Sequence, residues 1–414
     1  MRILFVSQYF PPEPGAPAAR VSELARTWKR EGHDVTVLTA LPHHPTGIVP
    51  PEYRRRALVR EEVHGVEVLR TWIYATPNRG RVKRSAGYAS FALSATLWGQ
   101  LHVRPADVVI ATSPQLLCGA AGYVISGVRR TPFVLEVRDL WPESIVAVGA
   151  LPAGHPVIRG LEIVERHLYR AARAIVVVTD AFKTRLVERG VSASKLHVMK
   201  NGVDLARFVP APRATALRKR LGLGDRFVAS YVGTHGMAHG LDTVLDVAKR
   251  LKARDDLRFL FVGEGAERAR LQARVEKERI TNAILLGVLP RDQMNEIYAT
   301  TDLCLVTLRK SELFTMVIPS KIFEIAAMAR PILLSVDGEA RAIVEASGGG
   351  VFTPPEDVER MARAIVGFVD DRSRGVAMGE RGRAYVSREF DRDALARRYL
   401  DVLHGVVAAA RRAS

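Results

Sequence analysis

The chain has 414 residues, of which 48% are hydrophobic, and its 61 lysine and arginine residues against 44 aspartate and glutamate residues give a formal net charge of +17. This length exceeds what one hydrophobic core usually serves and predicts two domains. The positive charge favours anionic partners such as phosphates, lipid headgroups or nucleic acid, although a basic composition bias would also produce it. With only Cys118 and Cys304, the sequence excludes a disulfide framework and a cysteine-based metal centre.

Apolar runs alternate with helical segments along the first half of the chain. Arg2–Val6 predicts a buried strand, and a loop at 7–17 leads into a helix that ends near Arg30. Continuous apolar runs of this kind are typical of parallel strands covered by helices on both faces. The further strands predicted here are Val35–Thr39, Val66–Thr71, Val108–Ala111, Phe133–Val137 and Ala174–Val178.

The first apolar run is too short for a signal peptide, because Gln8 and the prolines from Pro11 onward end it. No later apolar run reaches the ~20 residues that a membrane-spanning helix needs. We therefore expect a cytoplasmic protein, either free or at the inner face of the cell membrane.

The alternation of strands and helices restarts after 210–225, a segment that we interpret as a linker. The strands predicted beyond it are Phe227–Val232, Phe259–Val262, Ile284–Leu286, Leu303–Thr307 and Ile332–Ser335. The sequence thus predicts an α/β fold with two doubly wound Rossmann-like domains facing a cleft, where ligands bind at the carboxyl ends of strands. The predicted domains are 1–204 and 205–388, and a C-terminal helix at 389–414 is expected to pack back toward the first domain.

The sequence contains no complete cofactor or metal motif. Gly263-Glu264-Gly265 begins like a dinucleotide fingerprint, but Arg268 takes the place of the third glycine. A phosphate-binding Gly-Lys-Ser/Thr loop and a His-Glu-x-x-His pair are also missing. His43 and His44 are adjacent on a loop, and we interpret them as polar surface or a substrate rim rather than metal ligands. We therefore expect neither a cofactor nor a metal ion.

One turn of a predicted helix combines groups that suit a sugar nucleotide. Pro319 is predicted to open this helix, because proline fits a first turn where its missing N–H would be unpaired anyway. Lys321 adds positive charge to a helix end that attracts phosphate, and Glu324, one turn on, can accept hydrogen bonds from a ribose diol. The alternative interpretation is a capped surface helix, which fits the same spacing.

Short motifs in a fixed order over nearly the whole chain resemble glycosyltransferase family 4, a GT-B group of retaining enzymes that use nucleotide sugars. The segment 136–144, EVRDLWPES, is similar to a subgroup of O-antigen and capsule transferases that includes those for N-acetylfucosamine-type sugars. The motifs are the Gly15-Ala16 loop, Lys200-Asn201-Gly202-Val203-Asp204, Tyr231-Val232-Gly233, Phe261-Val262-Gly263-Glu264-Gly265, Leu286-Gly287-Val288 and Pro319-Ser320-Lys321 through Glu324.

The resemblance implies roles for the residues around the predicted helix. Glu324 matches the second acid of the family's Glu-x7-Glu motif and would hold the ribose of the nucleotide. Lys321 and the backbone amides near Val317 and Ile318 would face the diphosphate.

The resemblance also places residues from other segments in the nucleotide-sugar site. Gly15 would let the backbone approach the phosphate and the donor sugar, and Val288 would contact the base. The remaining predicted members of the site are Asn201, Gly233 and His239.

Three sites depart from the family pattern. Met316 stands where the first acid of Glu-x7-Glu is expected, and Glu312 lies four residues early. Thr234 and His239 stand where the family usually has Arg and Lys, and Arg138 stands where it often has histidine. These replacements bear on diphosphate neutralisation and on the grip on the donor sugar.

The implied chemistry is sugar transfer with retention of configuration, in which the departing nucleoside diphosphate gains negative charge. Lys321 and helix amides can stabilise that charge without a metal, and no Asp-x-Asp motif stands where such a fold would need one. Asp139, the second expected catalytic residue beside Lys321, would orient the acceptor or the donor sugar. The alternative is that Asp139 caps the helix that follows the strand Phe133–Val137.

Basic residues precede an apolar stretch in the first domain. Between Arg54 and Arg84, nine residues are basic and three are acidic, and an uncharged stretch with Phe91 and Trp98 follows. This pattern suits a helix at a membrane interface, where a polyprenyl-diphosphate-linked acceptor would lie. A core helix preceded by a solvated loop is the alternative.

The sequence therefore predicts metal-independent transfer of a hexosyl or N-acetylaminosugar group from a nucleotide sugar, expected to be a UDP-sugar, to a lipid-linked or other glycan acceptor in surface polysaccharide synthesis. A nucleotide-sugar epimerase of the same fold and a non-catalytic basic binding protein are the alternatives. Nucleic acid is not an expected partner, because the sequence has no recognised binding module and only 7% aromatic residues.

Overall fold

The computed structural model describes residues 1–76, 81–113, 115–147, 149–213 and 215–413. They form two compact units. Unit 1 comprises Met1–Lys200 together with Asp393–Ser414, and unit 2 comprises Asn201–Arg392. The sequence placed the first boundary four residues later, after residue 204, and began the C-terminal helix at 389.

Unit 1 alternates strands and helices along the chain. Its strands are β1 (Arg2–Val6), β2 (Asp34–Ala40), β3 (Leu58–Val63), β4 (Val66–Thr71), β5 (Val108–Thr112), β6 (Phe133–Val137), β7 (Ala174–Val177) and β8 (Leu196–Val198). Its helices up to residue 200 are α1 (Ala16–Arg30), α2 (Arg81–His102), α3 (Leu116–Val128), α4 (Glu143–Ala147), α5 (Pro156–Ala171) and α6 (Asp180–Glu188). The sheet order is β3-β4-β2-β1-β5-β6-β7-β8.

The pairing within this sheet is parallel except at one edge. β1 pairs with β2 through Leu4 and Thr36 and with β5 through Leu4 and Val109, and both ladders are parallel. β1 is apolar and its inner residues are fully buried, as strands covered on both faces require. The predicted parallel sheet is thus present in this unit.

The sequence analysis missed two strands of this sheet, β8 and β3, and β3 forms an antiparallel hairpin with β4. Charged residues occupy the middle of β3, which is the edge strand, so its apolar signal is weak. The turn residues His64 and Gly65 both have positive φ, +53° and +78°. Two such residues in a two-residue loop are the signature of a tight hairpin turn, and His64-Gly65 was the signal available in the sequence.

Unit 2 contains a second parallel sheet. Its strands are β9 (Phe227–Val232), β10 (Leu257–Val262), β11 (Ala283–Leu286), β12 (Leu303–Thr307), β13 (Ile332–Ser335) and β14 (Gly350–Phe352). Its helices are α7 (Ala216–Arg220), α8 (Leu241–Arg250), α9 (Arg268–Lys277), α10 (Met294–Thr300), α11 (Glu312–Thr315), α12 (Lys321–Ala327), α13 (Glu339–Ser347), α14 (Val358–Asp370) and α15 (Arg372–Glu389). The order is β11-β10-β9-β12-β13-β14.

The chain of unit 2 builds outward from β9 in one direction and then returns to continue in the other. β9 pairs with β10 on one side and with β12 on the other, and all pairings in the sheet are parallel. The order therefore reverses between β9 and β12, and in doubly wound sheets such a reversal opens a crevice at the carboxyl ends of the strands. The doubly wound fold class predicted from the sequence is confirmed.

The segment 210–225, which we interpreted as a linker, is part of unit 2. It contains α7, and Leu217 and Leu223 are buried in the core that includes Val228. Arg213 also donates from Nε to Asp302 Oδ1 at 2.5 Å. The prolines and glycines suggested an exposed connection, but the buried leucines fix this segment to the sheet.

The last helix, α16 (Arg392–Ala413), packs in unit 1. Trp28 of α1 donates from Nε1 to Ala396 O at 2.9 Å, and its ring meets Tyr399 edge-on at 5.3 Å. Trp28 and Tyr399 are fully buried. Within the described ranges, no helix combines the length and the apolar character that crossing a bilayer requires.

Candidate active site

The predicted nucleotide turn lies at the start of α12, two residues later than expected. Pro319 does not open the helix: Ser320 is the N-cap residue and α12 begins at Lys321. Lys321 and Glu324 nevertheless share the first turn. Asn201 donates from Nδ2 to Ser320 Oγ at 3.0 Å, so this predicted site residue is fixed to the same helix start.

Lys321 has an unusual environment for a lysine. Its Nζ atom is buried and has no hydrogen-bond partner among the described residues. The ammonium lies 3.9 Å from the centroid of the Tyr231 ring at the end of β9. This cation–π contact compensates only part of the lost hydration. The site therefore has a buried cation whose hydrogen bonds can be completed by an anion.

Gly233 leaves room for the Lys321 ammonium because it has no side chain. Gly233 follows β9 and has φ +140°, a conformation that favours glycine. A Cβ atom added there would lie 2.7 Å from Lys321 Nζ, so any other residue would displace the ammonium. The predicted site residues Gly233 and Lys321 are therefore brought into direct contact.

Two more glycines pack the loops after β9 and β10 tightly together. A Cβ atom on Gly263 would lie 1.9 Å from Gly233 O, and one on Gly265 would lie 2.3 Å from His235 O. His235 N–H donates to Glu264 O at 2.8 Å and ties the same loops. The partial dinucleotide fingerprint thus has a structural role: its glycines allow two backbones to meet at the carboxyl edge of the sheet.

His239 and Thr234 stand where the family usually has basic residues. His239 ends a short 3₁₀ turn, and its ring meets Tyr231 edge-on at 6.1 Å. Burial, with a smaller effect of Lys321, lowers the pKa of His239 to about 4. Thr234 O accepts a hydrogen bond from the Tyr231 hydroxyl at 2.9 Å. His239 is therefore part of the Lys321 surroundings, but as a neutral ring.

His235 is a member of these surroundings that the sequence analysis missed. It is completely buried, and neither ring nitrogen has a partner among the described residues. Burial, together with Arg268 and Lys321, lowers its pKa to about 4. Arg268 is a second cation near this loop, but it is paired with Glu264 at 3.1 Å. The position of His235 two residues after the strand glycine Gly233 was the available signal.

The pKa of Lys321 follows from this environment. Burial lowers it from 10.5 to about 7, and Glu324 opposes that shift. The neutral rings of His235 and His239 add no negative charge to hold the proton. Burial therefore brings the pKa of Lys321 well below that of an exposed lysine.

Glu324 is positioned by a tyrosine from α10. The Tyr298 hydroxyl donates to Glu324 Oε2 at 3.1 Å, and Tyr298 itself is buried. Met316, at the position of the missing first acid, caps α11, and Glu312 is exposed at the start of that helix. Glu324 is thus the carboxylate that shares the first turn of α12 with Lys321.

The loop before α12 agrees less well with the expected roles. Val317 N–H donates to Phe314 O at 3.3 Å, so this amide already has a partner. The Ile318 side chain is buried in the core. Val288 lies beyond the end of β11, and 52% of it is exposed. Its position at the carboxyl edge of the sheet is compatible with a base contact.

Two predicted site residues belong to unit 1. Gly15 is the N-cap of α1 with φ +112°, and its carbonyl accepts from Ala19 N–H at 3.1 Å. Asp139 follows β6, and burial raises its pKa. The alternative that Asp139 caps a helix is wrong, because α4 begins only at Glu143.

Arg138 is held in a buried charge network. Its Nε atom lies 4.0 Å from Glu136 Oε1, and Glu136 also pairs with Arg20 at 3.2 Å. Burial lowers the pKa of Arg138 to about 10. In place of the family's histidine, this position therefore supplies a cation beside Asp139. No group of three histidine, cysteine or carboxylate side chains within the described ranges is arranged to hold a metal ion.

The pKa of Lys321 predicts how stability depends on pH. Below about 7 the lysine is protonated in both folded and unfolded chains, and its burial penalty is fully present. Between about 7 and 10.5 the unfolded chain binds more protons, so this group makes the free energy of unfolding rise with pH. Replacing Lys321 with methionine should therefore stabilise the ligand-free protein more at pH 6 than at pH 9.

Urea unfolding of the wild-type protein and of Lys321→Met, each at pH 6 and pH 9, measures this difference. The contributions of all other titrating groups are common to both proteins and cancel in the comparison. Lys310→Met, at an exposed lysine, is the matched control and should show no such dependence. An equal effect of Lys321→Met at pH 6 and pH 9 would contradict a lowered lysine pKa.

Two family models match the chain. A glycosyl transferase 4-like domain matches residues 15–202, and a domain described as glycosyl transferases group 1 matches residues 226–371. Together they cover most of the chain, one in each unit.

Full-length relatives carry related descriptions. The putative colanic acid biosynthesis glycosyl transferase WcaI of Escherichia coli (strain K12) is 25% identical over 98% of this chain and 100% of its own length. A GDP-mannose-dependent alpha-mannosyltransferase of Mycobacterium tuberculosis is 26% identical over 90% of this chain and 89% of its own.

Solved structures show the same fold. HepE of Anabaena, in complex with UDP and glucose, has a TM-score of 0.75 at 18% identity over 98% of this chain and 99% of its own. Sucrose-phosphate synthase of Thermosynechococcus elongatus has the same TM-score and identity over 99% of both chains. Since both units match in order, the chain belongs to glycosyltransferase family 4, with the GT-B fold.

Proposed function

We propose that this chain is a retaining, metal-independent glycosyltransferase that moves a sugar from a nucleotide sugar to a glycan or lipid-linked acceptor. The observation that carries the proposal is the ammonium of Lys321, which is buried against Gly233 and has no hydrogen-bond partner in the part of the chain that the structure describes. Glu324 lies on the same helical turn. A nucleoside diphosphate offers a partner to each residue: its diphosphate can pair with Lys321, and its ribose diol can donate hydrogen bonds to Glu324.

Lys321 supplies what the departing nucleoside diphosphate requires. Breaking the bond between sugar and phosphate adds negative charge to the β-phosphate, and a fixed cation in a water-poor site stabilises that charge. Lys321 Nζ has no protein acceptor among the described residues, so a phosphate oxygen would complete the hydrogen bonds of the ammonium and raise the pKa of Lys321. This argument supports charge stabilisation by the protein itself. Activity that survives excess EDTA would support it, whereas activity restored only by magnesium or manganese would contradict metal independence.

The donor is proposed to be a UDP-sugar, as the sequence analysis expected. HepE was solved with UDP and glucose, whereas the mycobacterial relative is described as GDP-mannose-dependent. A thermal-shift screen with UDP, GDP and their sugar derivatives separates the two, because a ligand of the folded state raises the melting temperature. Stabilisation by GDP compounds alone would overturn the choice of UDP.

Transfer to surface polysaccharide is the proposed role of the reaction. WcaI is described as a colanic acid biosynthesis enzyme, and the 136–144 segment is similar to O-antigen and capsule transferases. Gly15 and Asp139 of unit 1 are the proposed residues for orienting donor sugar and acceptor. An epimerase of the same fold would release UDP from its substrate without an acceptor. Release of UDP that depends on an added acceptor therefore distinguishes the transferase.

Membrane contact through unit 1 is the second part of the proposal, with a changed set of residues. Phe91, expected at the membrane, is completely buried. The exposed apolar residues of α2 are instead Leu93, Leu97 and Leu101, spaced one turn apart and exposed by 74%, 55% and 65%. Arg79 of the predicted basic segment lies outside the described residues.

Positive charge lies beside this leucine stripe at the C-terminal end of α2. Arg60 donates to His102 O at 2.8 Å, and Arg129 donates to Gly99 O at 2.7 Å. Arg104 is exposed two residues after the end of the helix. Neither α2 nor α3 contains an acidic residue. An anionic bilayer complements an apolar stripe with such a rim.

We expect the protein to float with liposomes that contain anionic lipid. Basic residues near the surface contribute ~1 kcal/mol each at low salt, so part of the binding should be lost at high salt. Replacing Leu93, Leu97 and Leu101 with serine should remove the salt-resistant remainder. Ile163→Ser, at a 61% exposed residue of α5, is the control. A wild-type protein that never floats, at low or high salt, would refute membrane contact.

A further inference from the structure

The guanidinium of Arg138 in unit 1 has buried hydrogen-bond donors without an acceptor in the part of the chain that the structure describes. Arg138 follows β6, which lies between β5 and β7 in a run of parallel strands, so it stands at the edge where such sheets bind ligands. Its side chain is only 8% exposed. The Nε and Nη1 atoms are both buried, and neither has a hydrogen-bond partner among the described residues. Burying a donor without an acceptor is unfavourable, so these N–H groups require one.

Glu136 is not the acceptor that Arg138 lacks. Its Oε1 atom lies 4.0 Å from Arg138 Nε, which is too far for a hydrogen bond. Glu136 Oε2 instead accepts from Arg20 Nε at 3.3 Å and from Arg20 Nη2 at 3.2 Å. Glu136 Oε1 accepts from Thr112 Oγ1 at 3.1 Å. Arg20 therefore neutralises this carboxylate, and Arg138 is a second cation beside a pair that is already formed.

Asp139 does not complete the pairing of Arg138 either. Burial raises the pKa of the Asp139 carboxyl by more than the charge of Arg138 lowers it. The carboxyl is therefore a weaker counter-charge than an exposed aspartate would be. The positive charge of Arg138 thus remains available to an anion that a ligand brings.

The position of Arg138 is fixed before any ligand binds. Its backbone N–H donates to Ser113 Oγ at 2.9 Å, and Ser113 N–H donates to Glu136 O at 2.8 Å. These two bonds tie the end of β6 to the end of β5. The helix α3 begins at Leu116 on the same edge of the sheet, and its first turn has no acidic residue. Since the start of a helix carries partial positive charge, the surroundings of Arg138 add to its attraction for an anion.

The chemistry of the guanidinium favours an anionic ligand over a neutral one. Burial lowers the pKa of Arg138 to about 10, because the charged form has lost hydration. An anion in contact with the guanidinium compensates that loss through charge, whereas a neutral hydroxyl supplies only a lone pair. Arginine binds phosphate oxygens strongly, because the planar group directs several N–H donors at them.

We propose that Arg138 binds a phosphoryl group of a substrate through the N–H groups of its guanidinium. The inference rests on the proposed function in that the phosphoryl group is assigned to a substrate of the transferase. The diphosphate of the donor and a phosphorylated acceptor both carry this chemistry. The histidine that the family often has at this position has an ordinary pKa of ~6.5, so the arginine gives this chain a permanent charge there.

Isothermal titration calorimetry with inorganic pyrophosphate tests whether Arg138 holds an anion. Lys321→Ala is the starting protein, so that the Lys321 ammonium does not contribute. Pyrophosphate should bind to it, and adding Arg138→Gln should weaken the binding ~10-fold or more, the effect of losing a charged hydrogen-bond donor. Arg159→Gln in the same starting protein, at an exposed arginine of α5, is the matched control and should leave the affinity unchanged.

Two further replacements separate charge from shape and keep the test decisive if Arg138→Gln fails to fold. Arg138→His introduces the residue that the family often has, and at pH 8 its neutral ring should bind pyrophosphate as weakly as glutamine does. Arg138→Lys keeps the charge without the planar guanidinium and should recover only part of the affinity. Thermal unfolding of each variant checks that it is folded.

Titrations of wild type and Arg138→Gln with UDP and with geranyl diphosphate identify the source of the phosphoryl group. Weaker binding of UDP by the variant assigns the group to the donor. Weaker binding of geranyl diphosphate, a diphosphate on an isoprenoid chain, assigns it to a lipid-linked acceptor. Either result supports the proposal. Neither measurement needs sugar transfer, so the proposal can be confirmed even if the proposed function fails.

Three results would refute the role of Arg138. The first is that pyrophosphate fails to bind to Lys321→Ala, which would show that Lys321 and not Arg138 holds the anion. The second is that the affinities for pyrophosphate, UDP and geranyl diphosphate are the same with and without Arg138. The third is that pyrophosphate alone is bound more weakly by the variant, which would mark an adventitious ion only and overturn the assignment to a substrate.

Discussion

Replacing Glu324 with alanine should weaken UDP binding by ~1–3 kcal/mol, the cost of losing a hydrogen-bond partner that carries charge. Glu324 lies on the same turn as Lys321, and Tyr298 orients it through a 3.1 Å hydrogen bond. A ribose diol can donate two hydrogen bonds to one carboxylate, and the alanine side chain can accept neither of them. Isothermal titration calorimetry should therefore show a dissociation constant raised ~5- to 150-fold.

Two variants separate the ribose contact from general effects of charge. Glu312→Ala removes an exposed carboxylate from the start of α11 and should leave UDP affinity unchanged. Tyr298→Phe keeps Glu324 but removes the hydroxyl that orients it. Its loss of UDP affinity should be smaller than that of Glu324→Ala and larger than that of Glu312→Ala. Unchanged UDP and GDP affinity in Glu324→Ala would remove this residue from the nucleotide site.

The elements that local sequence could predict are those with strong apolar runs. β1, β6 and β12 are short, continuously apolar and buried, and their predicted and observed bounds agree closely. The turn with Lys321 and Glu324 was also found, because both residues lie within one helical turn. Its start was misplaced because proline at 319 signals a helix start without fixing which residue begins it.

Other features depend on strand order, which no local pattern contains. Glu13 Oε1 accepts from the backbone N–H groups of His43 and His44 because the loops after β1 and β2 lie side by side in the sheet. The sequence showed His43 and His44 only as adjacent residues on a loop. Phe91 likewise could not be assigned to the buried side of α2 until the sheet beneath it was known.

The departures from the family pattern have a physical consequence in the structure. Where the family has Arg and Lys, this chain has Thr234 and His239, and the His239 pKa is lowered to about 4. His235 is neutral at pH 7 for the same reason. In the proposed function, more of the neutralisation of the diphosphate therefore falls to Lys321 than it would if the family's Arg and Lys were present.

Lys321→Ala should accordingly reduce turnover ~100-fold or more, judged by the effect of removing one donor from a preorganised site for developing negative charge. The loss should appear in kcat as well as in kcat/KM, because the charge on the leaving phosphate grows toward the transition state. Steady-state release of UDP in the presence of acceptor and excess EDTA measures it. Lys310→Ala, at an exposed lysine of the same unit, should retain wild-type turnover.

Lys321→Arg provides a sharper test of the same idea. It keeps the charge, but the guanidinium is larger than the ammonium. Space around Nζ is small, because even a Cβ atom added to Gly233 would lie 2.7 Å from it. If position matters as well as charge, the arginine variant should recover only part of the lost turnover. Full activity of Lys321→Ala would refute the role of this lysine, and charge stabilisation would then have to come from Arg268 or from a bound metal ion. Because Arg268 is already paired with Glu264 at 3.1 Å, Lys321 is the residue we expect to carry it.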